Sequence, residues 1–291
     1  MTKQHIQNWI ILLLLSVIWG SSFILMKKSL LGFNYIEVAC FRLIIAFLCF
    51  VPWLHVSLKK LTLKNVIPLL IVSIIGTVIP AVLFALAQTQ LGSALSGMLN
   101  GLTPVFTLII GVCFFKTCAY IQQYLGLIIC FVGTYILLGS SDNLINDTQF
   151  TILIIIATIC YALSINTIKF LLNNIKALDI AVITSFFSAI LPTLYIFSTG
   201  IINNIMKISN NTKSFFFITI LGLLGTSIAI VLFNKLIKQS SALFASTTTY
   251  FIPIVAIIWG IIDQEKIWPH EILGIIIILV GIFTINTKEF N

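Results

Sequence analysis

Ten apolar stretches of about twenty residues, separated by short polar gaps, leave this chain few ways to fold. They cover approximately 9–27, 35–56, 65–88, 93–115, 120–139, 150–170, 177–200, 214–237, 242–262 and 268–287. Each can cross the ~30 Å hydrocarbon core as a helix, the form that satisfies every backbone hydrogen bond within the segment. Only 8% of the residues are charged, against roughly 25% in soluble domains. The expected fold is an all-α polytopic membrane protein of ten transmembrane helices, and no gap is large enough for a soluble domain.

The first stretch opens at Trp9 after a single lysine. It is too long for a signal-peptide core and lacks a small-residue cleavage site, so it counts as a span. The net charge of +8 comes from 16 Lys and Arg against 8 Asp and Glu, scattered through the gaps. Such scatter orients helices in a bilayer and makes no nucleic-acid surface. With the N-terminus inside, ten lysines lie on the inner side: Lys3, Lys59, Lys60, Lys64, Lys116, Lys169, Lys176, Lys235, Lys238 and Lys288. Five lie outside: Lys27, Lys28, Lys207, Lys213 and Lys266. The excess of positive charge inside places both termini in the cytoplasm.

An internal repeat adds the next constraint. Gly76–Lys116 laid on Gly225–Glu265, an offset of 149 without gaps, gives ten identities in 41 positions, among them Gln90 on Gln239, Pro104 on Pro253 and Gly111 on Gly260. Upstream, an offset of 142 sets SVIWGSSFILMK on TICYALSINTIK, with Trp19 on Tyr161 and Lys27 on Lys169. A longer loop near Ile201–Lys213 absorbs the change of offset. The chain thus reads as two five-helix repeats, 1–140 and 150–288. Five is odd, so the second repeat enters the membrane from the opposite side. Inverted repeats of this kind place a substrate site near mid-membrane and alternate its access, as in secondary transporters.

Polar residues inside the spans mark where such a site would lie. The stretch SALSGMLNGLTP, Ser93 to Pro104, sets serines, Asn100, two glycines and a proline where lipid tolerates them least. Proline removes the hydrogen bond to the carbonyl four residues earlier, that of Asn100 for Pro104 and of Thr249 for Pro253, so both prolines are expected at helix kinks. Ser96, Asn100, Thr103 and Thr107 share one helical stripe, with Ser246, Thr249 and Tyr250 at the matching level of the ninth helix. The expectation is two stripes facing each other across a cavity, joined by Trp19, Ser22 and Tyr161. A packing reading competes for the same residues. Ser93, Gly97 and Gly101 form a small-residue ladder, and serine and threonine hydroxyls can bond to their own backbone. Gly126, Gly133, Gly274 and Gly281 read as helix packing.

The run WGSSFILMKKSL in the first helix, FRLIIAFL in the second, the proline-containing fourth and ninth helices, and Glu265 followed by ILGIIIILVGIF resemble the drug/metabolite transporter superfamily, in its permeases with two EamA repeats. The resemblance covers essentially the whole chain. It implies a permease for small organic solutes, in either direction, and it names no substrate. The acidic residue that follows the fourth helix of a repeat is present as Glu265 in the second and replaced by Lys116 in the first.

Other charged residues read as local. Arg42, the only arginine, is expected to pair with Glu37, reach carbonyls or snorkel. Glu37 and Asp179, equivalent in the repeats, suit helix starts. Neither HExxH, a P-loop nor a pair of mid-membrane carboxylates occurs, and His5, His55 and His270 share no ligand spacing, so no catalytic residue, metal or cofactor is expected. The six cysteines read as small buried hydrophobes, and the sequons at Asn146 and Asn210 as chance. The resulting expectation is a secondary transporter of a small organic metabolite or drug-like compound in a bacterial inner membrane, by alternating access with efflux favoured. A non-transporting receptor or scaffold and a membrane-embedded lipid-modifying enzyme are the alternatives. Nothing in the sequence fixes the coupling ion or the oligomeric state.

Overall fold

The computed structural model describes residues 3–138, 144–200 and 210–286. Most of the loop near Ile201–Lys213, the first sequon's side chains before Thr148, and Lys207 and Lys288 lie outside them. The described residues are built from helices alone: α1 (Lys3–Leu30), α2 (Tyr35–Leu48), α3 (Val51–Leu58), α4 (Val66–Ala87), α5 (Ser93–Asn100), α6 (Thr103–Phe115), α7 (Ile121–Leu138), α8 (Leu144–Leu171), α9 (Ala177–Ser198), α10 (Thr212–Gln239), α11 (Ala242–Ser246), α12 (Ile252–Ile262) and α13 (Pro269–Asn286). Seven segments among them are long and apolar enough to cross a membrane, and eight if α2 and α3, bent by 72° at Cys49–Phe50, make one span. The expected fifth and tenth spans fall on α7 and α13, whose apolar parts, 121–133 and 269–281, are shorter.

Large apolar side chains such as Leu13, Leu14, Ile128, Phe131, Ile276 and Phe283 are exposed around the bundle. In water that surface would drive aggregation, and in lipid it is the natural solvent contact. The interior is close-packed through small residues. α7 and α13 cross where a side chain on Gly133 would strike Ile278 and the carbonyl of Gly274, and one on Gly281 would strike Cys130 and the carbonyl of Gly126. α5 lies on α12 in the same way, with Gly97 against Ala256, Gly101 against Pro253 and Gly260 against Ala94.

Two breaks interrupt the fourth and ninth segments, and they precede the prolines. Pro104 and Pro253 each sit in the first turn of the helix that follows, α6 and α12, where the missing N–H costs no bond. The helix is interrupted by a turn at Gly101–Leu102 in one case and by a 3-10 turn, Thr247–Tyr250, in the other. The third and eighth segments carry a different irregularity: one π-helical turn each, Ile74–Val78 in α4 and Leu223–Ile228 in α10. In both, a threonine hydroxyl donates to the carbonyl five residues back, Thr77 to Val72 at 3.2 Å and Thr226 to Leu221 at 3.1 Å. The two turns are 149 positions apart.

Candidate functional site

A cavity lies between the helices, with about 130 Å³ open to the centres of water molecules. That is room for several waters. Of its 24 lining residues, twenty fall into ten pairs separated by 142 or 149 positions. The pairs are Trp19 with Tyr161, Ser22 with Ser164, Phe23 with Ile165, Met26 with Ile168, Arg42 with Thr184, Gly76 with Gly225, Thr77 with Thr226, Ala81 with Ile230, Phe84 with Phe233, and Asn100 with Thr249. Contacts repeat as well. Trp19 packs edge-on against Phe233, with ring centres 4.7 Å apart, and Tyr161 stacks on Phe84 at 5.9 Å. Gly76 closes against Ser164 as Gly225 closes against Ser22, and a side chain on either glycine would collide with the serine. The π turns serve this approach, because the extra residue per turn shifts the helix face that meets its neighbour.

Five of the eight residues expected in a cavity line this one: Trp19, Ser22, Asn100, Tyr161 and Thr249. The Trp19 indole donates to the Gly225 carbonyl at 3.0 Å, a group inside the π turn. Ser96 and Ser246 do not line it. Their hydroxyls donate to the backbone carbonyls of Gly92, at 2.9 Å, and Leu243, at 2.7 Å, as serines within helices commonly do. The side chain of Tyr250 lies outside the described residues. The Asn100 carbonyl, expected to be free, accepts from the Thr103 hydroxyl at 2.8 Å.

Arg42 is placed differently from any of the sequence readings. It lines the cavity, and its Nε donates to Thr226 Oγ1 at 2.7 Å. Glu37 does not meet it. That carboxylate closes a capping box with Asn34 at the start of α2, both hydrogen bonds at 2.9 Å. The available signal was the repeat itself, since Arg42 aligns on Thr184 at the same offset as Glu37 on Asp179.

A second cluster closes one end of the bundle. Lys27 Nζ meets Asp263 at 2.7 Å and Glu265 at 2.8 Å, and Lys28 also pairs with Asp263. Glu265 accepts from Ser93 N (2.9 Å), Ser93 Oγ (2.7 Å) and Ala94 N (2.9 Å), so it caps α5 from the other half of the chain. Burial acts to raise the Glu265 and Asp263 carboxyls, but the hydrogen bonds from the lysines, and for Glu265 those from Ser93 and Ala94, outweigh it. Both are held below the ordinary carboxylate value. At the opposite end, exposed Lys116 ends α6 in a left-handed conformation (φ 54°). There Lys169 donates to the carbonyls of Ile237 and Ser240, and Lys238 to those of Leu172, Asn173 and Ile175. Among the described residues no three or more His, Cys, Asp or Glu side chains are grouped so as to hold a metal.

The family model for EamA-like transporters matches residues 7–139 and again 150–287. A protein from Archaeoglobus fulgidus described as an uncharacterized transporter is 23% identical over 284 residues, which cover 97% of this chain and 100% of the relative. A solved crystal structure at 10% identity superposes with a TM-score of 0.67 over 97% of each chain, a likeness of fold.

Proposed function

The chain belongs to the EamA-like transporter family and is a membrane transporter, and from that membership we propose that it carries a small organic solute through the central cavity by alternating access. Two inverted five-helix repeats, 1–140 and 150–288, make ten spans with both termini cytoplasmic, in a bacterial inner membrane. Trp19, Ser22, Asn100, Tyr161 and Thr249 contact the solute. The observation that carries the reading is the pairing of the cavity wall: ten residues from each half, at two fixed offsets, surround one space. A site shared so evenly between two repeats can be presented to either side when the halves exchange conformations. The Lys27–Glu265 cluster supports the same reading, because it joins the first helix of one half to the end of the ninth helix and the start of the fourth. In the orientation above it closes the outer end.

Initial transport rates of a labelled metabolite pool in proteoliposomes test the proposal. Asn100→Leu and Thr249→Leu should each abolish or retune transport while the protein still folds, since they remove polar groups from a wet wall. Wild-type rates in both variants would return these residues to helix packing.

A further inference from the structure

We propose that the solute is a small organic monocarboxylate held by the Arg42 guanidinium, an inference that rests on the central cavity being the transport site. Arg42 stands ~10 Å along α2 from the start of that helix, at membrane depth. An arginine stays protonated in proteins. The other lining side chains are neutral, with no Lys, Asp or Glu among them. Every ion pair found among the described residues belongs to Lys27 or Lys28. Among the described residues the cavity wall therefore carries one full positive charge and no carboxylate, an arrangement that is expensive in a membrane unless function requires it.

The guanidinium is also aimed. The Thr226 hydroxyl spends its proton on the Leu221 carbonyl, so its lone pair is the acceptor for Arg42 Nε. That geometry comes from the π turn. It leaves the terminal fork of the guanidinium without a further hydrogen bond to the protein among the described residues. The fork matches the two oxygens of a carboxylate. A single charge suits a single negative group, and the rings of Trp19, Phe84 and Tyr161 offer apolar contact to the rest of the molecule. The cavity is small, with about 130 Å³ open to the centres of water molecules, so a short-chain or single-ring acid is the class of solute to test. The repeat makes the charge a local addition, for Thr184 occupies the related position on the same wall. An inside-negative potential drives such an anion outward, which gives efflux a physical basis.

The test is a charge-displacement recording on proteoliposomes adsorbed to a solid support, with a panel of monocarboxylates from butyrate to phenylacetate, each beside its primary amide and corresponding amine. Binding is read in parallel as a shift of the detergent melting temperature. At least one acid should displace charge and raise the melting temperature while its amide and amine do neither, and Arg42→Gln should weaken both responses about tenfold or more. Thr226→Val, which keeps the shape and unfastens the guanidinium, should weaken them less, and it serves if Arg42→Gln does not fold. Responses to amides or amines that match those to acids, silence across the panel, or an Arg42→Gln protein with wild-type responses would overturn the proposal. An acid that stabilises the wild type through Arg42 without crossing the membrane would overturn the transport reading and leave the anion site standing. Transport of a neutral solute that is lost in Asn100→Leu and kept in Arg42→Gln would do the reverse.

Discussion

The two ends of the bundle are built from related sequence and held by different chemistry. At the Glu265 end, Gly92 precedes α5 and offers no side chain to cap it, and the carboxylate that does so arrives from the other half, where it also meets Lys27 of the first half. At the Lys116 end, the residue 149 positions after Gly92 is Ser241, which caps α11 itself by accepting from Phe244 N at 2.9 Å. One end thus depends on a charged contact between the halves, and the other on bonds within the second half alone, the Ser241 cap together with the bonds from Lys169 and Lys238 to backbone carbonyls. A bond between moving parts can be released in a cycle, whereas a self-cap stays made. Under the alternating-access reading proposed above, Glu265 and the repeat-related Lys116 would put the releasable contact between the halves at the Glu265 end alone.

The comparison is broken most severely by writing the first repeat's residue into the second. Glu265→Lys sets a third cation beside Lys27 and Lys28 and uncaps α5. Loss of the cap costs ~1 kcal/mol, and the partly exposed ion pairs add up to ~1 kcal/mol. We expect a clear fall in melting temperature and transport reduced about tenfold. An unchanged melting temperature would show that the cluster holds nothing together.

Acid should act next. The folded value of Glu265 is lowered, so its stabilising contribution is complete above the ordinary carboxylate range of about 4.3 and is lost as pH falls through the lower folded value. The melting temperature of wild type should therefore drop more steeply below that range than that of Glu265→Gln. Parallel curves would remove the carboxylate from the account.

Ser241→Ala tests the self-capped end and should cost about 1 kcal/mol of stability while leaving the transport rate per folded molecule near wild type. A rate loss as large as that of Glu265→Lys would erase the distinction between the ends. The smallest effect is expected from Lys116→Glu, within about twofold of wild-type transport, if the exposed lysine serves only as the inner-side topology charge proposed above. Complete loss of transport in correctly oriented protein would make that position part of a gate.

Much of this architecture was legible in the sequence, because lipid imposes long apolar segments and a repeat shows as fixed offsets. Gly133 against Gly274, and Gly97 against Ala256, follow from small residues at helical spacing. Less legible was which face each helix turns inward. Ser96 and Asn100 share a stripe, yet only Asn100 reaches the cavity, because α5 lies on α12 and rotates Ser96 onto its own backbone. The π turns at Thr77 and Thr226 were invisible to a 3.6-residue period, since one extra residue shifts everything after it. Arg42 was misread for a different reason: its neighbour in sequence, Glu37, caps a helix, while its partner in space, Thr226, lies 184 residues away. The pairing of Lys27 with Asp263 and Glu265 joins groups 236 and 238 residues apart, beyond the reach of local pattern.

The claim that the Glu265 cluster latches the outer end of a central cavity is tested most directly by access. A cysteine replacing Asn100 on the cavity wall, in an otherwise cysteine-free protein, is labelled from outside with a membrane-impermeant maleimide, with and without Glu265→Gln. Labelling should be about fivefold faster or more once the carboxylate is neutralised, since the population open to the outside rises. Equal rates in the two backgrounds would contradict it.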